Sequence, residues 1–220
     1  MKDVSSEEAI EELQGFCVRH GLPWTNEARD RFVEYLQLLW QFNQASNLVG
    51  VSGRVDMVRE LFIDSVAAAV VAPVAGAILD VGSGAGLPGV PLEILYPDLP
   101  ITLVEPRKKR ATFLRIVANR LALPDATVIA ERIEDAGVER HPFVVSKAFR
   151  PPAQWVRTAA EYVAPDGLVV CLHAADGTTQ ARESAADLGL RETAHVADVC
   201  DELEAPVPRG RAITVFRAPR

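Results

Sequence analysis

The sequence predicts an α/β fold: a mainly parallel β-sheet with helices on both faces, preceded by a helical extension. Three observations predict it. From Ala77 onward, short apolar runs of strand length alternate with amphipathic runs of helix length, the pattern of consecutive βαβ units. The first apolar run, Ile78-Leu79-Asp80-Val81, passes directly into a glycine-rich turn and then an apolar helix. The chain before it carries helical periodicity and no strand alternation. The expected division is therefore 1–75 as a helical extension and 76–220 as one compact core.

In the extension, Ser5 to His20 reads as a helix opened by a capping box, Ser5 with Glu8. Gly21-Leu22-Pro23 stops it, and Thr25 can cap the next helix, in which Phe32, Leu36, Leu39 and Asn43 recur at helical spacing. Asn43 and Asn47 stand where apolar residues are expected. They either end the helix or fix a loop near the active site. After a break at Gly50 to Gly53, Val55 to Val71 reads as one helix with Asp64-Ser65 in its middle.

In the core, the glycine turn leads into a helix from Leu87 to Leu95, with Pro88 placed in its first turn. Ile101 to Val104 is a second strand ending at Glu105. A helix from about Arg107 to Leu123 follows, with Phe113, Leu114, Val117 and Leu121 on its apolar arc. Lys108, Arg115 and Asn119 fall on the opposite side, whereas Arg110 shares the apolar arc. Ala126 to Ala130, Phe143 to Ser146 and Gly167 to Leu172 are further strands, with Arg132 to Asp135 as a loop and Pro151-Pro152 opening a helix through Val163. Thr178 to Leu188 is a helix. Arg191 to Val196 and Ala212 to Phe216 close the chain as an antiparallel pair joined without a helix.

Composition narrows the function. The chain has 220 residues, 49 % hydrophobic and 24 % charged, enough for a sizeable core. Its longest apolar run, Val66 to Leu79, is broken by Pro73 and Gly76 and is too short to span a membrane. The acidic start MKDVSSEEAIEELQ lacks an apolar signal core, so the chain is read as cytoplasmic. A net charge of −7 argues against a protein that coats nucleic acid without specificity. Cys17, Cys171 and Cys200 are read as reduced core thiols, and the scattered histidines support no metal site.

Gly82, Gly84, Gly86 and Gly89 fall within eight residues. Such a turn lets a ligand approach the backbone, and the helix behind it offers free N–H groups and positive potential. Gly84 to Gly89 fits the dinucleotide pattern G-x-G-x-x-G. Gly82 to Gly86, with Asp80 two residues ahead, resembles instead the S-adenosylmethionine loop of class I methyltransferases. Either reading puts an acid at the tip of the second strand to grip ribose hydroxyls, and Glu105 is at that distance.

The motif set becomes specific when taken together. D-V-G-S-G-A-G-L-P-G from Asp80, K-R-x-x-F-L-R from Lys109, R-I-E-D from Arg132 and V-S-K-A-F from Val145 resemble the RsmG (GidB) family. F-N-x-x-x-N-L from Phe42 and Ile63-Asp64-Ser65 look like that family too. The chain departs from the family at Glu60-Leu61, where a basic residue and a histidine are usual. It departs again at Lys147, where an arginine is usual, and at Ser46, where a tyrosine is usual.

The resemblance implies a class I, Rossmann-like methyltransferase that moves a methyl group from S-adenosyl-L-methionine to N7 of a guanine in 16S ribosomal RNA. It implies that Gly82, Gly84 and Leu87 line the cofactor loop, that Glu105 holds the ribose, and that Ile133 and Glu134 meet the adenine. Lys147 takes the family arginine's place near the methyl donor and is the one candidate for a catalytic role. Guanine N7 offers a free lone pair, so no catalytic base is demanded. Arg110 and Arg150, near strand tips, are the candidate contacts to RNA phosphates. The expected partners are 16S rRNA or the small ribosomal subunit, with no membrane, no metal and a monomeric chain. The alternatives are a class I methyltransferase acting on a small molecule or protein, and a nucleotide-binding or assembly protein on the same fold.

Overall fold

The computed structural model describes residues 5–220; the first four residues of the acidic start lie outside them. Helix α1 (Ser6–Arg19) begins with the expected capping box: Ser5 Oγ accepts from the Glu8 N–H at 3.2 Å, and Glu8 Oε2 accepts from the Ser5 N–H at 2.9 Å. Helix α2 (Asn26–Ser46) is capped by Thr25, whose Oγ1 accepts from Ala28 N–H at 3.0 Å. It ends at Asn47, which adopts the left-handed conformation with φ 46°.

Val55 to Val71 is not one regular helix. Helix α3 (Arg54–Met57) runs into a π-helical segment, Val58–Ile63, and then into α4 (Asp64–Val71). A π segment widens the turn and turns carbonyls off the helix axis. The apolar spacing of Val58, Leu61 and Phe62 fits either geometry, so periodicity does not separate them.

The core follows in order: β1 (Ile78–Val81), α5 (Gly89–Leu95), β2 (Ile101–Val104), α6 (Lys108–Arg120), β3 (Ala126–Ile129) and β4 (His141–Lys147). It continues through α7 (Pro152–Tyr162), β5 (Val163–Ala174), α8 (Thr178–Asp187), β6 (Arg191–Val196), α9 (Val199–Glu202) and β7 (Arg211–Arg217). Pro88 is the residue before α5 rather than part of its first turn, and the Leu87–Pro88 peptide is cis. The last two strands are antiparallel as expected, but the four-residue α9 lies between them.

The seven strands are ordered β3-β2-β1-β4-β5-β7-β6. β7 pairs antiparallel with both its neighbours, while the other pairings are parallel. Side-chain alternation splits the core in two. Ile78, Leu103, Val145 and Val170 face the N-terminal helices, α5 and α6. Leu79, Val81, Val104 and Val169 face Trp155, Val156 and Ala159 of α7. The extension shares one apolar cluster with the sheet, through Phe16, Phe32, Tyr35 and Phe62. Each such ring contributes about 1.5–3 kcal/mol on burial. Among the described residues no helix is long and apolar enough to cross a membrane.

Candidate functional site

β1 sits near the middle of the sheet, and its carboxyl end opens onto the glycine turn. The turn is held from within. Gly82 and Ser83 N–H both donate to Val104 O, and Gly86 and Leu87 N–H both donate to Ser83 O. Asp80 Oδ2 accepts from Gly89 N–H at 3.0 Å, and Ser83 Oγ donates to Asp80 O at 2.9 Å. Asp80 thus ties the strand to the start of α5. Burial pushes its carboxyl up to about 7, against the lowering effect of the Gly89 and Ser83 contacts. Tyr35 of α2 donates its hydroxyl to Ala85 O at 2.7 Å, so the extension braces the same turn.

Two glycines of the turn adopt the left-handed backbone that side chains rarely take. Gly82 has φ +71°, and a Cβ there would stand 2.2 Å from the Phe149 ring. Gly84 has φ +60° and donates its N–H to Glu105 Oε2 at 2.9 Å. Glu105 is buried, and its other oxygen accepts from Arg107 N–H at 2.8 Å. It therefore clamps the glycine turn and the start of α6 together. A carboxylate has about four lone-pair sites, so two remain for a ligand.

Beside the turn lies a cavity of about 300 Å³. Its lining is apolar at Val81, Val104, Ile133 and Phe149, with Gly82 and the charged Arg150 and Glu134 completing it. Arg150 forms an ion pair with Glu134, donates to Thr158 Oγ1 at 2.6 Å and stacks on the Phe149 ring at 4.7 Å. The hydrogen bond from Arg150 holds the Glu134 carboxyl below its ordinary range. Ala148, just before this pair, has φ 52°, a left-handed backbone that turns the chain over the cavity.

The structure brings some expected site residues together and separates others. Gly82, Ile133, Glu134 and Arg150 line the cavity; Gly84 and Glu105 form the clamp at its edge. Leu87 does not line it. The Ser83–Leu87 turn carries that side chain to the opposite face of the sheet, into the core shared with the extension. Lys147 also lies off this cavity. Its Nζ is 2.6 Å from Asp64 Oδ2 and donates to Glu60 O at 2.8 Å, so its ammonium is turned towards the π segment and α4. Arg110 lies beside Gly84, with Nη2 3.4 Å from Leu48 O. Arg150, a candidate RNA contact near the strand tips, lines the cavity wall.

Asn43 fixes a loop, the sharper of its two readings. Its Nδ2 donates to Val51 O at 2.8 Å and its Oδ1 accepts from Val49 N–H at 2.9 Å. That loop carries the Leu48 carbonyl met by Arg110. Sequence reasoning did not single out Phe149 or Arg132 as wall residues, although both lie inside motifs that it quoted.

A larger hollow of about 520 Å³, along Arg115, Asn119 and Val128, lies at the sheet edge away from the glycine turn. It brings together no acid and no nucleophile. Cys17 and Cys171 are buried and free, and burial pushes the Cys17 thiol up to about 12, so neither is a ready nucleophile. Among the described residues no group of histidine, cysteine and acid side chains is placed to hold a metal ion.

The cavity combines apolar walls with an acid in its lining, Glu134, and a second acid, Glu105, clamped to the glycine turn at its edge. The absence of a Cβ at Gly82 is what lets the Phe149 ring close against the turn.

Comparison with known proteins agrees. The GidB family model, described as rRNA small subunit methyltransferase G, matches residues 28–202. The ribosomal RNA small subunit methyltransferase G of Methylobacillus flagellatus is 38 % identical over 150 residues, 67 % of this chain and 72 % of that protein. Its counterpart from Chloroflexus aggregans is 34 % identical over 204 residues, 89 % of this chain and 84 % of that one. In fold, the chain resembles an O-methyltransferase from Bacillus cereus solved with SAH. The TM-score is 0.54 at 17 % identity, over 84 % of this chain and 90 % of that one.

Proposed function

The chain belongs to the GidB family of rRNA small subunit methyltransferases, and we propose that it transfers a methyl group from S-adenosyl-L-methionine to N7 of a guanine in 16S ribosomal RNA. The observation that carries this reading is the cavity at the carboxyl end of β1, where Gly82, the Glu105 clamp and the Ile133-Glu134 wall converge. Val81, Val104 and Ile133 would sandwich the adenine. Glu134 would accept from its amine once released by Arg150, and the free lone pairs of Glu105 would accept from the ribose hydroxyls.

The bound cofactor supplies an electrophilic methyl group on a sulfonium centre. Guanine N7 attacks with its own lone pair, so the chain need not remove a proton first. The work left to the protein is alignment, and Phe149 and Arg150 are placed to exclude water from the cofactor's open side.

In this reading the core, residues 76–220, carries the cofactor and the extension, residues 1–75, shapes the acceptor side through Asp64 and the loop fixed by Asn43. The partner is the small ribosomal subunit or its 16S RNA, approached by Arg110 beside the glycine turn. A ribosomal substrate places the reaction in the cytoplasm. Only Val18 and Leu188 are large exposed hydrophobic residues among those described, which supports a monomer.

The test uses small subunits from cells lacking this methyltransferase. Incubation with the purified chain and S-adenosylmethionine should create one new site of chemical cleavage at 7-methylguanine. Labelled methyl groups on protein, or on no RNA base, would overturn the proposal.

A further inference from the structure

A second cavity, of about 200 Å³, opens at the carboxyl ends of β4 and β5 and shares Arg150 with the cofactor cavity. Its polar lining is Asp64, Lys147, Arg150, His173, Asp176 and Arg211. A dry cavity of about 150 Å³ holds one benzene ring, and whole drug-sized ligands need about 300 Å³ or more. The space therefore suits a single base, not a nucleotide.

Most of the polar lining is already engaged or lies at the rim. His173 has both ring nitrogens occupied, by Ala174 O at 2.8 Å and Thr214 Oγ1 at 3.0 Å. Arg150 is held by Glu134 and Thr158. Asp176 is exposed and Arg211 half-exposed at the outer edge. Asp64 and Lys147 remain, both deep, as an ion pair at 2.6 Å with side chains only 4 % and 11 % exposed. Lys147 spends one N–H on Asp64 and one on the Glu60 carbonyl in the π segment. An ammonium has three N–H groups, so one is left.

We propose that this cavity receives the acceptor base, with the third N–H of Lys147 donating to guanine O6 and the Asp64 carboxylate accepting from N1–H. The assignment rests on the methyl-transfer reading above. Guanine carries O6 beside N7, and N1–H beside O6, so a neighbouring donor and acceptor match a neighbouring acceptor and donor on the base. This docking turns N7 towards the wall shared with the cofactor cavity. Adenine presents an amine where guanine has O6 and a bare nitrogen where guanine has N1–H. In the same pose it would meet ammonium with a donor and carboxylate with an acceptor. A site built to make such bonds rejects the analogue strongly. To enter, the base must leave its stack. Lys147 is thereby a specificity residue facing the acceptor, not a cofactor ligand, and the π segment serves to aim the Glu60 carbonyl that steadies it.

The test methylates small subunits from cells lacking this methyltransferase, with 7-methylguanosine measured by mass spectrometry after digestion. Cofactor affinity is read in parallel by calorimetry. Asp64→Asn should lower kcat/KM by about 5- to 150-fold, the value of one good bidentate base contact, with cofactor Kd unchanged. Because breaking one half of a buried pair strands the other charge, the double variant Asp64→Leu with Lys147→Met is made as well; removing both charges together preserves the fold. It should bind cofactor and fail to methylate. Lys147→Arg, which keeps a cationic donor, should restore much of the rate. With cofactor saturating, free guanine should inhibit the wild type more strongly than free adenine, and the double variant should lose that preference. A folded double variant that methylates like the wild type overturns the pocket alone, as does equal inhibition by the two free bases. A wild-type chain that methylates no guanine in the subunit overturns the parent reading and the pocket with it.

Discussion

Replacing Glu105 by alanine separates its two roles in one experiment. The carboxylate accepts from Gly84 N–H at 2.9 Å and Arg107 N–H at 2.8 Å, and is itself buried. Removing it strands two backbone donors. Because both bonds are only partly buried, the low end of the usual range applies, about 1 kcal/mol each and about 2 kcal/mol together. For a chain of this size that lowers Tm by about 4–8 °C. Ligand affinity falls separately, since a hydrogen bond to a charged group contributes about 1.5–3 kcal/mol, or about 10- to 150-fold in Kd. Glu105→Gln keeps one acceptor oxygen and should show about half the thermal loss. Differential scanning calorimetry and titration with S-adenosylmethionine read the two effects independently. A variant that melts lower but binds with unchanged Kd would leave Glu105 as a clamp only. A variant that melts with the wild type would refute the clamp itself.

Four other substitutions test the remaining geometry. Gly82→Val should abolish cofactor binding in a folded protein: φ +71° strains a branched residue by about 1–2 kcal/mol, and its Cβ displaces the Phe149 ring 2.2 Å away; titration of the purified variant decides. Glu93 is fully buried with one oxygen unpartnered, and burial, reinforced by Asp125, pushes its carboxyl from 4.5 up to about 8. The folded state therefore holds a proton that the unfolded state releases, so stability falls as pH rises from about 4.5 to about 8. Glu93→Gln should flatten that slope in melting curves taken across the range, and an unaltered slope would assign it to another group. Arg110→Ala should lower methyl transfer to subunits most at low salt, with a shallower salt dependence than the wild type, while leaving cofactor Kd unchanged. Arg150→Ala, on the cavity wall, should move both. If Arg110→Ala alters neither, the RNA docks elsewhere.

What the chain discloses in advance depends on whether the backbone or a distant side chain makes the demand. The glycine turn was legible because left-handed backbone and close approach at Gly82 and Gly84 restrict the residue type at each position. The caps at Ser5 and Thr25 were legible because donor and acceptor are three residues apart. Glu105 was legible because one crossover unit places the second strand tip beside the first. The packing of Leu87 was not legible: it stands inside the motif, but the hydrogen-bonded turn from Ser83 rotates it into the core. The Arg150–Glu134 and Lys147–Asp64 pairs carried no local signal, because each joins elements that only the folded sheet brings together. The π segment was hidden too, since a widened turn keeps the same apolar residues inward. A position is therefore legible in sequence where backbone conformation restricts the residue type, as at Gly82. It is less legible where a side chain must be aimed, as at Lys147, whose direction is set by Asp64 and the Glu60 carbonyl rather than by its own strand.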